Sequence, residues 1–405
     1  MTSVTDPPQG SFRLSMLIND TRYRSYTFQF IALVLLIGFM AYLGINLVSN
    51  LAAQGLNISF GFLGDAAGYD INQTVVEYDS QSSHLRAAVV GIINTLIVAF
   101  LACVTATIFG VIAGVLRLSN NWVVRKLMAF YVEIFRNIPV LIWIIIIFSI
   151  MTVSMPAPRD FRGEDPSASM LFESFAFTNR GVYSPAPVID GASGWIVIGV
   201  FIASIIGIFA YRRYATKKLY DTGQLLPMLW PSVALFFVPV TLVYFILGRP
   251  ITLDYPSLQG FNFQGGLHLR GSLIALWFAL AIYTGAFIAE NVRAGILAIS
   301  KGQTEAAASL GLRPGRIMNL VILPQALRVI IPPLISQYLN ITKNSSLAIA
   351  VGYMDVTSTL GGITLNQTGR AIECILLLML FYLTISLLIS AVMNVYNNSV
   401  KLRER

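Results

Sequence analysis

A chain of 405 residues with 11% charged side chains and a formal net charge of +8, at a mean hydropathy of +0.72, lies far from the roughly 25% charged residues of soluble globular proteins. That composition excludes a soluble domain and points to an all-α, polytopic membrane helix bundle. The positive charge is spread over separate segments rather than gathered into one patch, which argues against a nucleic-acid partner and for the lipid bilayer.

Residues 1–26 begin with a Pro-rich tail and continue as SFRLSMLINDTRYRSY, where Phe12, Met16, Leu17 and Tyr23 mix with cations. The segment reads either as an interfacial elbow or as a disordered tail. The apolar run at 27–49 exceeds the 7–15-residue core of a cleaved signal and is taken as the first span. After a loop at 50–87, spans are predicted at 88–116 and 129–153, then a Pro-, Gly- and Ser-rich loop at 154–193, read either as a docking platform or as a linker. Spans at 194–211 and 226–247 read as a hairpin inserted over 194–247, with Pro227, Pro231 and Pro239 expected to kink its second arm. A loop at 248–270 precedes spans at 271–290, 329–353 and 374–396, and 397–405 is a tail. Eight spans result, those at 129–153 and 329–353 being interrupted by charge.

Orientation follows from Lys and Arg. With the N-terminus inside, 17 basic residues fall in cytoplasmic segments and seven outside, namely Arg86, Arg159, Arg162, Arg180, Arg249, Arg270 and Arg370. Both termini are therefore expected in the cytoplasm. The first outer loop agrees, carrying Asp65, Asp70, Glu77 and Asp79.

Between the sixth and seventh spans, 301–324 forms a polar knob. Thr304 is expected to cap a short helix, with Glu305 near its positive end, a run of Ala306 and Ala307, and a left-handed stop at Gly311. Leu312 and Arg313 lead to Pro314, which opens a second helix that Leu323 and Pro324 are expected to close. The stretch EAAASLGLRPGRIMNLVILP (305–324) resembles the EAA loop of ABC importer permeases, with Val321 where the pattern has Ile. Downstream, KNSSLAIAVGYMDV (343–356), and upstream, EIFRNIPVL (133–141), resemble the polar amino acid branch of that family. The resemblance covers 88–153 and 271–396. It implies a type I importer permease core, a cytoplasmic ABC ATPase dimer docked on the knob, a second permease, and a periplasmic amino acid-binding protein. In the longer general systems of this family the second permease is a different polypeptide; a homodimer stays open.

Charge and polarity at membrane depth are costly, about 2.5–3.5 kcal/mol per charged residue. Arg136 and Asn137, beside Pro139, are candidates to bind a carboxylate, against a simple pairing of Arg136 with Glu133 or a carbonyl. Lys343, Asn344, Ser345 and Ser346 interrupt the seventh span, and Gln337 and Asn340 lie one turn earlier. They read either as path lining, which the resemblance favours, or as interhelical hydrogen bonding. Asn94 is a further candidate. Glu290 and Arg293 read as a surface pair.

No GxxxxGK[ST] loop occurs, so the chain is expected to bind no cofactor, with ATP and Mg held by the ATPase. His84 and His268 are isolated, and Cys103 and Cys374 fall within predicted spans, leaving no metal or catalytic cluster. The competing class, a secondary transporter or channel without an ATPase, needs an intramembrane carboxylate relay that the spans do not offer.

Overall fold

The computed structural model describes residues 16–400 apart from 20, 54, 56 and 164. Most of the expected N-terminal elbow (1–15) and the end of the C-terminal tail (401–405) lie outside the described residues. A short helix α1 (Met16–Asn19) precedes α2 (Thr21–Ala53). Apolar side chains project from all sides of α2, and the rest of the chain buries none of its apolar stretch. That is the surface of a helix solvated by lipid.

Side-chain caps set the next two helices. The Ser83 hydroxyl accepts the Arg86 amide at 3.2 Å to start α3 (His84–Leu116), and the Asn121 side chain accepts from Val123 and Val124 to start α4 (Trp122–Asn137). Pro139 then enforces a corner. Ile138 before it is extended (φ −110°, ψ 132°), and α5 (Val140–Ser154) leaves at 106° to α4. The single span expected at 129–153 is thus corrected to two pieces, because a proline ring cannot continue the ladder past the carbonyl four residues back. Phe135 and Trp143 stack across the corner at 4.1 Å.

The hairpin α6 (Gly191–Thr222) and α7 (Leu229–Ile246) packs chiefly on itself. Of its three prolines only Pro239 lies in a helix interior; Pro227 precedes α7 and Pro231 falls in its first turn. The core forms instead around α8 (Gly271–Leu297), whose Leu276, Leu280 and Ile288 are fully enclosed. Helix α3 runs parallel to it at close range: a Cβ on Gly114 would sit 2.7 Å from the Ala289 carbonyl oxygen, and one on Gly110 3.0 Å from the Gly285 carbonyl oxygen. Lipid gives helices no hydrophobic drive to associate, so such backbone proximity supplies dispersion contacts that do.

After α9 (Lys301–Ser309), α10 (Pro314–Ile317), a π turn (Met318–Ile322) and α11 (Leu323–Asn344) form one helical run, continued as a 3₁₀ stretch (Ser345–Val351). Gly352, at φ +69°, ends it. A π stretch (Thr357–Thr364) and α12 (Leu365–Thr368) lead to the returning α13 (Ala371–Val400). Among the described residues, seven helices are long and apolar enough to cross a membrane, or eight if the bent α4–α5 pair counts as one span.

Strands are a departure from the purely helical expectation. The 154–193 and 248–270 segments are knitted into antiparallel ladders: β1 (Ala176–Thr178), β2 (Gly181–Ser184) and β7 (Leu267–Arg270) in order β1-β2-β7, β3 (Ala186–Ile189) with β4 (Ile251–Asp254), and β5 (Ser257–Gln259) with β6 (Asn262–Gln264). Ala176, Tyr183 and Phe263 are buried beneath them, with Phe161, Met170 and Leu258 packed around. Neither segment is a plain linker. Each supplies strands that the other completes, so no local periodicity announces the sheet.

The Tyr183 ring stacks flat on His268 at 4.0 Å, and His268 Nε2 lies 3.2 Å from the Arg180 carbonyl. Burial lowers the His268 pKa below its ordinary 6.5, the Arg180 carbonyl partly opposes this, and the Arg270 charge adds to the lowering. A neutral imidazole is thus the folded form. Its stability contribution is complete above the ordinary value and is lost as pH falls through the lowered one. Amide protection in β2 and β7, with the intrinsic pH dependence of exchange divided out, is expected to be lower at pH 5 than at pH 7.5, and His268→Phe, which keeps the stack, should reduce the difference. Equal acid sensitivity in that variant would assign the effect elsewhere.

Candidate coupling knob and membrane path

The knob is built from two arms and a left-handed turn. Ser300 occupies the N-cap position of α9 (φ −63°, ψ 142°), so the helix begins a turn earlier than expected. Thr304 is therefore within the helix rather than its cap, and Glu305 lies beyond the first turn where the helix dipole acts; both readings are corrected. Gly311 has φ +75°, with its N–H on the Ala308 carbonyl at 2.9 Å and the Leu312 N–H reaching the Ala307 carbonyl at 3.4 Å. This pair of bonds is a Schellman closure, which demands the left-handed residue that glycine supplies.

Arg313 then stands at the N-cap and Pro314 at the first position of α10. Pro324 does not end the second arm, which is a further correction. In the preceding π turn the Leu323 N–H bonds back to the Met318 carbonyl, so the ladder is already widened where Pro324 offers no N–H, and the helix runs through. The arm and α11 are consequently continuous. Ala307 and Ile317 are buried, while Glu305, Ala306, Gly311, Arg313, Pro314, Leu323 and Pro324 are exposed and Leu312 is half-buried. Leu310 and Leu320, 80% and 64% exposed, leave two large apolar side chains open on the knob.

Behind the knob the core is locked. Glu290 bonds Arg117 of α3 as well as Arg293 on its own helix, the latter at 2.7 Å. The expected surface pair is therefore an interhelical triad. Further along α8, a side chain on Gly295 would meet Ile330 of α11, so the helix before the knob and the one after it touch at its base.

On α11, Ser336, Asn340 and Lys343 are exposed at i, i+4 and i+7 and share one face. Gln337 and Asn344 are half-buried beside it. Ser345 and Ser346 spend their hydroxyls locally, on the Thr342 carbonyl at 2.7 Å and the Lys343 carbonyl at 2.8 Å, where α-helix gives way to 3₁₀. Arg136 and Asn137 are exposed in the last turn of α4, at the corner, with the Arg136 guanidinium 5.2 Å from the Phe287 ring centroid. Asn94 is buried, its amide donating to the Gln73 and Met354 carbonyls at 2.9 Å each. The structure thus gathers Asn340 and Lys343 but ties Asn94 to a different junction, as a clamp between α3, the 57–83 loop and the turn after Gly352.

Two apolar cavities flank α11, one of about 360 Å³ bordered by Leu96, Cys103 and Ile389, the other of about 410 Å³ bordered by Val111, Val292 and Leu334. Tyr338 lines both, and its hydroxyl pairs with Thr107 at 2.8 Å. Neither lining suits a charged solute. Asp355 escaped the sequence reading. It is fully buried, and its Oδ1 accepts the Ser358 amide at 2.8 Å, three residues on, as a capping carboxylate does.

A helix bundle with a Gly-turn knob running directly into a membrane helix suits a transport subunit, and the chain belongs to the binding-protein-dependent transport system inner membrane component family, whose profile matches residues 106–220 and 196–402. It is a multi-pass inner-membrane protein. Over 428 aligned positions covering 100% of both chains, it is 51% identical to the glutamate/glutamine/aspartate/asparagine transport system permease protein BztB of Rhodobacter capsulatus. It is 42% identical to the general L-amino acid transport system permease protein AapQ of Rhizobium johnstonii, over 99% of this chain and 98% of that one. Identity to the putative amino-acid ABC transporter permease protein YhdX of Escherichia coli is 43%, over 96% and 98%.

Proposed function

We propose that this chain is the permease subunit of an ATP-driven ABC importer for polar or general L-amino acids, seated in a bacterial inner membrane with both termini cytoplasmic. The observation that carries this reading is the continuity from the exposed knob through Pro324 to the Lys343 face, in a chain similar along its whole length to amino acid permeases. A cytoplasmic ABC ATPase dimer takes the knob (Thr304, Glu305, Ala306, Ala307, Gly311, Leu312, Arg313, Pro314, Leu323, Pro324) into a cleft; ATP and Mg are bound there and not by this chain. Closure of the ATPases pushes on α9 and α10. Because the second arm and α11 form one helical run to Asn344, in which Pro332 and Pro333 remove two amide donors without ending the helix, the push tilts α11 as a lever.

The solute path runs along the Asn340–Lys343 face, with Gln337 and Asn344 at its edge and Arg136 and Asn137 at the α4–α5 corner. A lysine and amides left exposed at membrane depth are stable where they line a wet path or meet a second subunit, not where they face lipid. A second permease, a different polypeptide, covers that face, and a periplasmic binding protein delivers the amino acid. Uptake of labelled glutamate and glutamine into vesicles holding the assembled transporter is expected to need ATP inside the ATPase compartment. Lys343→Met should lower uptake or change the preference between the two solutes without releasing the ATPase. Accumulation with no ATP or no ATPase would sink the importer reading, and an unchanged profile for Lys343→Met would remove it from the path.

A further inference from the structure

The inserted hairpin is the least integrated pair of helices near the core, and its knob-side end carries a cluster that coupling does not use. At 1.5 Å per residue, the 32 residues of α6 span about 48 Å. Its uncharged part, 191–211, alone covers about 31 Å, close to the thickness of the hydrocarbon core. The remaining turns, 212–222, therefore stand clear of the apolar layer. They carry Arg212, Arg213, Lys217 and Lys218 against one acid, Asp221.

Their arrangement is directional. Ala215 is 1% exposed and marks the side turned inward, whereas Arg213, Lys217 and Tyr220, at i, i+4 and i+7, are all exposed on the opposite side; Arg212, also exposed, flanks them about 100° round the helix from Arg213. Lys218 is half-buried over the Tyr214 ring, 5.9 Å from its centroid. None of the four cations forms a salt bridge among the described residues. The Tyr211 hydroxyl donates to the Pro227 carbonyl at 2.7 Å and holds the returning limb at the boundary between charge and apolar surface. Just past it, Leu229 and Trp230 are 66% and 75% exposed. Outward cations next to an exposed tryptophan on a lipid-facing hairpin match a headgroup layer, where phosphates meet the cations and the indole sits at the interface.

We propose that this end of the hairpin, through Arg212, Arg213 and Lys217, binds the headgroups of anionic phospholipids in the adjoining leaflet. The inference rests on the membrane-spanning reading of the hairpin, and not on which side of the membrane faces the cytoplasm. Near an anionic surface each cation favours contact about five-fold (about 1 kcal/mol). Amide exchange over 212–222 would be measured for the full chain in nanodiscs of phosphatidylcholine, with and without one-third phosphatidylglycerol. Slower exchange with phosphatidylglycerol is expected, relieved by raised salt, and reduced about 25-fold in effect by the pair Arg213→Gln and Lys217→Gln.

Equal exchange in both lipids would overturn the proposal, as would undiminished protection in the double variant. Protection produced by inorganic phosphate in phosphatidylcholine discs, or by the ATPase whatever the lipid, would assign the cluster to a free anion or to a protein contact instead. Both leaflets of a nanodisc are alike, so an inverted topology leaves this result unaffected, and a failure of ATP-driven uptake leaves it equally intact.

Discussion

Gly311→Val in the assembled transporter is expected to lower coupled uptake roughly 5- to 30-fold while leaving membrane insertion intact. The turn holds φ at +75°, and two backbone bonds, Gly311 to Ala308 and Leu312 to Ala307, close only in that conformation. A residue with a Cβ loses about 1–2 kcal/mol there, and the closed-to-open ratio of the turn falls by the corresponding factor, which is the upper bound on the loss of uptake. Space is not the cause, since nothing lies within 4 Å of where the Cβ would stand. Gly311→Asn should therefore retain most of the activity, because asparagine tolerates the left-handed region. The informative measurement is solute moved per ATP hydrolysed. A valine variant that transports normally would show that the turn does not carry force.

Gly114→Leu is expected to be the more damaging change, through folding rather than coupling. Its Cβ would lie 2.7 Å from the Ala289 carbonyl oxygen and 2.8 Å from the Val292 Cβ. A backbone carbonyl inside a helix cannot swing aside, so α3 and α8 must separate. Overpacking of this kind costs about 1–3 kcal/mol and occasionally more, and here it would also pull Arg117 away from Glu290 at the end of the same interface. A clear fall in thermal unfolding temperature in detergent, with poor yield, should result. Gly199→Leu on α6 is the control: its Cβ meets nothing within 4 Å, and it should behave like the parent. Equal stability of the two variants would mean that the α3–α8 contact is looser than drawn.

Much of the knob was legible because its signals are local. Gly311 and Pro314 specify their own backbone, and a left-handed stop followed by a proline-opened helix needs no distant partner. The cap at Thr304 failed for an equally local reason: the chain leaves the extended conformation already at Ser300, whose hydroxyl makes no capping bond, and the alanine-rich stretch favours helix without a cap at Thr304. Pro324 failed because a π turn is invisible to periodicity, and it removes the steric objection on which the predicted stop relied.

The core was less legible. Gly110 and Gly114 form a small-xxx-small spacing that was available in the sequence as a packing signal. Its target on α8 was not, since nothing local names the partner helix. Glu290 looked paired once Arg293 stood three residues away; the second arginine lies on a helix far back in the chain. The sheets over 154–193 and 248–270 illustrate the same limit, because strands of three or four residues acquire an amphipathic meaning only when β2 finds β7.

By itself the sequence determined that the chain is a membrane helix bundle, where most of its apolar helices fall, and that 301–324 is an exposed segment, because hydropathy, glycine and proline act over short stretches. Only the tertiary structure decided that Pro139 makes a 106° corner, that Pro324 is passed through, that Asn94 is a clamp, and that Asn340 and Lys343 share an uncovered face. Those outcomes depend on which backbones approach one another, and two helices cut by many residues of intervening chain settle that by packing, not by their own composition.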